Sequence, residues 1–325
     1  MSDQDITVGV LSLHSSKESK AILNAVDEMG YDTEWLRNEN TAISVTDGEM
    51  TLEPSVDVVA NRLLLSSTEH PAEGIGLGMT ISRLAPTLNE PMAATTALHK
   101  FASAAALADA GVPVPDALLA LSSDLLNEQR GRFGDRAVYK TAIGTHGGGT
   151  WMVDLENQVN AQVGGRYAFL QEYMEHDKQR HHDLRVYVVG DRVVAAMNRY
   201  APEGEWRTNV ALGGEVEDMT GRLPQRVRRM ALEAVDAIGL DYAGVDIVQG
   251  EDGYYVLEVN PTAGFRGLFE ASGVSPAPYI AQRAIERAGG SVPDSEVERL
   301  SDRLDDSMPV AKPPKPQRKR AENVV

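Results

Sequence analysis

The chain opens on an apolar run, Ile6-Thr7-Val8-Gly9-Val10-Leu11. A stretch of helical periodicity follows from about Ser16 to Met29, stops at Gly30, and gives way to an extended piece around Tyr31 to Leu36. Strand, helix, strand predicts an opening βαβ unit. Another apolar run at Val56 to Ala60, with alternation continuing to about Pro91, predicts a small α/β domain with a parallel sheet over residues 1–94. Gly74, Gly76 and Gly78 suggest a dinucleotide loop, but Met79 stands where the third glycine of G-x-G-x-x-G belongs and no clear strand precedes it.

Thr95 to Ala110 predicts an alanine-rich helix stopped by Gly111, Pro113 and Pro115, which opens a second unit over residues 95–170. Within it Arg136-Ala137-Val138-Tyr139-Lys140 reads as a strand, followed by Gly144-Thr145-His146-Gly147-Gly148-Gly149 and then Thr150-Trp151-Met152-Val153. Strand, glycine loop, strand is the pattern of a hairpin that folds over phosphates, the alternative being a plain surface hairpin. A third unit, 171–290, is richer in strands: Phe169 to Tyr173 leads in, and Asp183 to Met197 forms a hairpin turning at Gly190-Asp191. It continues with a helix from about Gln225 to Ile238, strands at Ala243–Val248 and Tyr254–Val259, and a helix near Pro278 to Ala288. Residues 291–325, dense in charge and proline, predict a disordered tail after any helix near Ser295 to Leu304.

Charge narrows the partners. The 325 residues carry 48 Asp plus Glu against 31 Lys plus Arg, a net charge of −17, which argues against a sequence-independent grip on nucleic acid or on an anionic membrane. Of the 31 basic residues only eight are lysine, and low lysine with a large acidic excess is the composition expected of a halophilic protein. The start lacks the basic and apolar pattern of a secretory signal and no apolar run reaches membrane-spanning length, so a cytoplasmic location is expected. With no cysteine there is no thiolate chemistry, and any metal must be held by oxygen or nitrogen.

Asp246, Glu258 and Asn260 carry the chemical argument. A turn at Gly250-Glu251-Asp252-Gly253 would place a carboxylate on one strand opposite a carboxylate and an amide that share a face of the next. Such ligands suit magnesium or manganese bridging nucleotide phosphates, although Glu-x-Asn at a strand end also serves purely structural roles. Lys140 ahead of the glycine hairpin, Lys100 in the preceding helix and Glu172 on an apolar strand favour the nucleotide reading.

On these residues, together with Asp183-Leu184-Arg185-Val186-Tyr187-Val188-Val189-Gly190-Asp191, Arg199, Trp206-Arg207-Thr208-Asn209, Gly213-Gly214 and Glu258-Val259-Asn260-Pro261, the sequence resembles the ATP-grasp carboxylate–amine ligases, in particular their RimK-like group. The resemblance covers about residues 95 to 285 and implies a small α/β domain followed by the two-lobed ATP-grasp fold. It implies that Lys100, Lys140 and the loop glycines Gly147, Gly148 and Gly149 contact phosphates, and that Gln171 and Glu172 line the adenine and ribose pocket. Asp246, Glu258 and Asn260 would hold two magnesium or manganese ions. Arg199 would neutralise developing charge, with Asp183, Arg185, Arg207 and Asn209 grouped around the substrate and phosphate.

The implied reaction places the γ-phosphoryl of ATP on a carboxylate and lets the amine of an amino acid, glutamate first among candidates, displace phosphate. The carboxylate acceptors such a resemblance brings are a protein terminus, an acidic carrier protein or a small cofactor, and the protein could be a homo-oligomer. Two rivals remain: a D-alanine-D-alanine-type or other dipeptide ligase, which Gly244 disfavours because those enzymes carry arginine there, and a non-catalytic nucleotide-binding adaptor docking through the basic tail from Lys312 to Arg320. The histidines His146, His181 and His182 are expected in solvent or loop roles.

Overall fold

The computed structural model describes residues 6–65, 71–144, 149–174, 181–208 and 214–304. The opening unit is β1 (Thr7–Leu11), α1 (Lys17–Glu28) and β2 (Asp32–Leu36). Ser16 caps α1, its hydroxyl accepting from the Ser19 amide at 3.2 Å, and Gly30 turns the chain at a φ of 84°. A hairpin that the apolar pattern does not flag follows, β3 (Ala42–Thr46) and β4 (Glu49–Glu53). Its turn residues Asp47 and Gly48 both have positive φ, 53° and 84°, as a tight two-residue hairpin loop demands. The fully buried β5 (Val58–Asn61), α2 (Pro71–Ile81) and β6 (Thr87–Leu88) complete a parallel sheet of order β2-β1-β5-β6. Gly74 and Gly78 lie buried inside α2, where a Cβ on Gly74 would come 2.4 Å from Leu65, so these glycines serve helix packing.

The helix predicted from Thr95 to Ala110 is two helices, α3 (Pro91–Leu98) and α4 (Lys100–Asp109). His99 breaks it by adopting an extended backbone (φ −86°, ψ 98°) and capping α4, with Nδ1 accepting from the Ala102 amide at 3.1 Å. The Lys100 amide then donates to the Ala142 carbonyl at 2.8 Å, which ties the start of α4 to the glycine-hairpin strand.

That strand belongs to a small antiparallel lobe made of β7 (Ala117–Leu119), α5 (Ser123–Gln129), β8 (Arg136–Thr141), β9 (Thr150–Asp154), β10 (Gln162–Val163) and β11 (Arg166–Glu172). Leu126, Ala137, Ala168 and Leu170 form its core. The larger sheet contains β12 (His182–Val189), β13 (Arg192–Tyr200), β14 (Glu215–Asp218), β15 (Tyr242–Gln249) and β16 (Tyr254–Asn260), in the order β14-β13-β12-β15-β16. Helix α6 (Gln225–Ile238), stopped by Gly239 in the left-handed region, buries Val227, Ala231 and Ala234 against Val186 and Val245 on one face. Past the sheet come α7 (Arg266–Ser272), α8 (Ala277–Arg287) and α9 (Asp294–Ser301).

The sheet's other face presents Tyr187, Ala195 and Tyr242 to a core that also contains Val8, Val10, Ile22, Val58 and Ala60 of the first unit and Ile280 and Ala284 of α8. One continuous apolar core thus fixes the opening sheet against the strands that carry the site. Asn89, fully buried, reinforces this joint: its amide nitrogen donates to the carbonyls of Tyr242 (2.8 Å) and Pro261 (3.0 Å), and its oxygen accepts from the amides of Asp241 (2.7 Å) and Tyr242 (3.0 Å). Among the described residues no helix is long and apolar enough to cross a membrane.

Candidate active site

The register of the large sheet assembles the charged residues in rows. Asp183 faces Arg199 across β12 and β13; Arg185, Asp246 and Glu258 stand abreast on β12, β15 and β16; Gly244 faces Asn260 one step further. Because side chains alternate, residues 183 and 185, 244 and 246, and 258 and 260 share a face. The Arg199 guanidinium grips Asp183 with two bonds of 2.7 and 2.6 Å, and its Nη2 also lies 3.0 Å from Asp246 Oδ2. Arg185 holds both oxygens of Asp246, through Nε to Oδ1 and through Nη2 to Oδ2 at 2.9 Å. Burial works to raise the Asp246 carboxyl, but the two arginines outweigh it and hold it below the ordinary carboxylate range. Burial likewise opposes the charge on Arg199, yet Asp183 and Asp246 push its proton affinity above the ordinary arginine value.

Gly244 explains how Arg185 reaches Asp246. A Cβ at position 244 would lie 2.7 Å from Ala263 Cβ and 3.0 Å from Arg185 Cδ, so the arginine of β12 runs through space that any side chain on β15 would fill.

The lysines approach the same carboxylates from other elements. Lys100 Nζ lies 2.6 Å from Glu258 Oε1 and 3.3 Å from the Gly144 carbonyl, while Lys140 Nζ lies 2.5 Å from Gln171 Oε1. Burial and then the neighbouring Lys100 charge lower Lys140 to about 8, with Glu258 and Asp246 opposing. Gly149 ends the hairpin loop at a φ of 79°, and a Cβ there would strike Thr141 Oγ1 at 2.3 Å. Gly147, Gly148, His146 and Asn209 lie outside the described residues.

Gln171 is buried beside Lys140, whereas Glu172 is exposed at the rim, its carboxylate 3.4 Å from the Asp116 amide. Arg207 forks onto Glu205 at 3.1 and 2.7 Å, and those hydrogen bonds hold the Glu205 carboxyl down at about 2. Apart from Glu205, these side chains line a cleft of about 410 Å³ whose apolar walls include Val138, Met174, Val248 and Leu257. Sequence reasoning did not single out those apolar residues, nor Thr208, whose hydroxyl donates to Asp183 Oδ2 at 2.6 Å, nor Glu18, which enters the cleft from α1. The flanking motif contains Thr208, but only the fold shows that it braces Asp183.

Among the described residues no three His, Cys, Asp or Glu side chains gather as a metal site. The candidate donors are two carboxylates and an amide. The Asn260 amide nitrogen lies 3.5 Å from Asp246 Oδ2, which leaves its oxygen as a donor of the hard type. This set fits magnesium, which takes one or two carboxylates and completes its shell with phosphate and water.

Residues 97–283 match the model of the RimK-like ATP-grasp domain. The chain belongs to the RimK-like ATP-grasp family. It is therefore an ATP-dependent ligase that forms a carbon–nitrogen bond between a carboxylate and an amine. This RimK-like chain is 32% identical over 209 residues to the tetrahydromethanopterin:alpha-L-glutamate ligase of Methanocaldococcus jannaschii, covering 62% of this chain and 70% of that one. It is 35% identical over 192 residues to a probable alpha-L-glutamate ligase 2 of Hahella chejuensis, covering 57% of this chain and 62% of that one. A solved structure of the ATP-grasp ligase PsnB, complexed with a phosphomimetic precursor variant, Mg and ADP, superposes with a TM-score of 0.64 at 20% identity, over 88% of this chain and 99% of that one.

Proposed function

We propose that this protein joins L-glutamate, through its amino group, to a carboxylate that ATP has first converted to an acyl phosphate. The reading is carried by the convergence of Lys100, Lys140, Arg185 and Arg199 with Asp246, Glu258 and Asn260 in one cleft, in a chain whose relatives are named as alpha-L-glutamate ligases. Lys100 and Lys140, with the loop glycines Gly147, Gly148 and Gly149, bind the phosphates. Gln171, Glu172 and the apolar wall hold the nucleoside. Asp246, Glu258 and Asn260 hold a pair of magnesium ions, or manganese, which when bound screen the phosphate charge. Arg199 is fixed before reaction by Asp183 and so needs little reorganisation to face charge spreading over the transferred phosphoryl group. Arg185, Arg207 and Asn209 orient the carboxylate and its acyl phosphate.

The functional units are placed at residues 1–94, 95–170 and 171–290, with Gln171 and Glu172, the last residues of β11, staying paired in the smaller lobe. The acidic, lysine-poor composition supports a high-salt working medium, which a melting temperature that rises with potassium chloride would test.

The test is amino-acid-dependent ADP formation, with product masses read after incubation with ATP, magnesium, glutamate and cell extract. Glu258→Gln keeps the shape beside Lys100 but removes a ligand charge, and turnover is expected below about a tenth of wild type, a loss above about 1.4 kcal/mol in transition-state stabilisation. Turnover above that level in the folded variant would remove the metal assignment.

A further inference from the structure

Glu18 belongs to the first turn of α1, in the opening unit, yet it lines the same cleft as Asp246 and Glu258. Ser16 Oγ donates to its Oε2 at 3.1 Å, and on the other side Gly264 approaches so closely that a Cβ there would lie 3.2 Å from Oε1. The other carboxylates of the sheet face are each matched to a cation: Asp183 to Arg199, Asp246 to Arg185, Glu258 to Lys100. No lysine or arginine of the described residues forms an ion pair with Glu18 within 4.0 Å, and its hydrogen bond is to a neutral hydroxyl. A half-buried carboxylate without a direct ion-pair partner suits a cation that arrives from outside.

Its surroundings point the same way. Arg62 crosses from the opening unit and donates both terminal nitrogens to the Ala263 carbonyl, at 3.3 and 3.4 Å, which pins the loop that follows Asn260. Among the described residues the fully buried Tyr187 hydroxyl and the buried Nε of Arg62 make no hydrogen bond of ordinary geometry, although Arg62 comes close enough to act on the Tyr187 hydroxyl, which also feels the charge of Glu18. Tyr187 faces Gly244, one step along the strands from the Arg185–Asp246–Glu258 row, a distance of about 6–7 Å for two residues. Glu18, packed against Gly264, therefore enters the cleft beside the loop that follows Asn260.

We infer that Glu18 receives the ammonium group of the amino-acid substrate, so that the opening unit completes the amino-acid site. The inference rests on the ligase reading above and assigns the substrate's positive end to this residue. Loop 261–265 and α1 then form adjoining walls of the amino-acid site. Glu18 is here a binding residue, and its role is recognition of charge.

The experiment is calorimetric titration of the full-length protein, held with a non-hydrolysable ATP analogue and magnesium, with L-glutamate and separately with glutarate, which lacks the ammonium. Wild type should bind glutamate at least tenfold more tightly than glutarate. Glu18→Gln should abolish that preference by weakening glutamate while leaving glutarate and the ATP analogue unchanged, and Glu18→Asp should restore part of it. Equal weakening of both ligands, or an unchanged preference, would overturn the inference and leave the ligase reading standing. No saturable glutamate binding by wild type would remove the glutamate reading and this inference together.

Discussion

Replacing Asp183 by asparagine tests the link between the buried ion pair and the site. The change keeps the volume but removes the charge and one acceptor. Arg199 then presents two N–H groups to a side chain that can accept only one, and the asparagine NH₂ is forced against a donor. Both partners have side chains only 7% exposed, so water cannot readily repair the loss. Removing one partner of such a pair costs about 3–5 kcal/mol. Asp246 remains 3.0 Å from Arg199 Nη2 and retains part of the compensation, which places the expected loss near the lower end, about 3 kcal/mol. The Thr208 hydroxyl also loses a charged acceptor, which is part of that sum. Urea unfolding followed by circular dichroism should show a lower midpoint at unchanged slope. Arg199, released from Asp183, swings fully onto Asp246, so turnover should fall roughly 100-fold, within the range seen when a preorganised electrostatic donor is lost. A destabilisation under about 1 kcal/mol, together with turnover near wild type, would show that Asp183 neither holds nor orients Arg199.

Lys140, lowered to about 8 chiefly by burial, is half neutral at that pH, and phosphate favours its charged form, so nucleotide binding should take up protons near pH 8 and weaken as pH rises further. Titrations in two buffers of different ionisation enthalpy measure this, and a constant affinity without proton uptake between pH 7 and 9 would refute it. For the free protein the sign is opposite: between pH 8 and the ordinary lysine value the unfolded chain binds the extra proton, so this group makes stability rise with pH there. Asn89→Ala strands the four backbone groups that Asn89 satisfies, and even with water entering the space a loss of about 3 kcal/mol is expected by chemical denaturation. A neutral result would mean that the joint between the opening sheet and β15 rests on its apolar core alone.

Local signals settled much of this protein. The apolar runs at 6–11 and 56–60, the helix ending at Gly30, the helix at 225–238 and the strands on either side of Gly250–Gly253 all stand where the pattern puts them, because burial periodicity and left-handed glycines act within a few residues. The common face of Glu258 and Asn260 follows from strand alternation, and the position of Lys140 ahead of the hairpin follows from order alone. The hairpin at 42–53 was missed: Asp47-Gly48 carries a turn signal, but the flanking strands are largely exposed and lack apolar alternation.

Other features needed the fold. The break at His99 depends on the Lys100 amide finding the Ala142 carbonyl 42 residues away, a partner that helix propensity cannot reveal. Arg185 meets Asp246 across 61 residues, and Arg199 meets both Asp183 and Asp246, only because β12 lies between β13 and β15. Glu18 and Arg62 reach the cleft from the opening unit because a shared apolar core packs α1 and β5 against α8 and the large sheet. Composition and spacing name residue types able to bind phosphate and metal. Which carboxylate each arginine neutralises, and which one is left to meet a cation from outside, is set by strand order and by packing between units, where contacts span hundreds of residues and leave no periodic trace in the sequence.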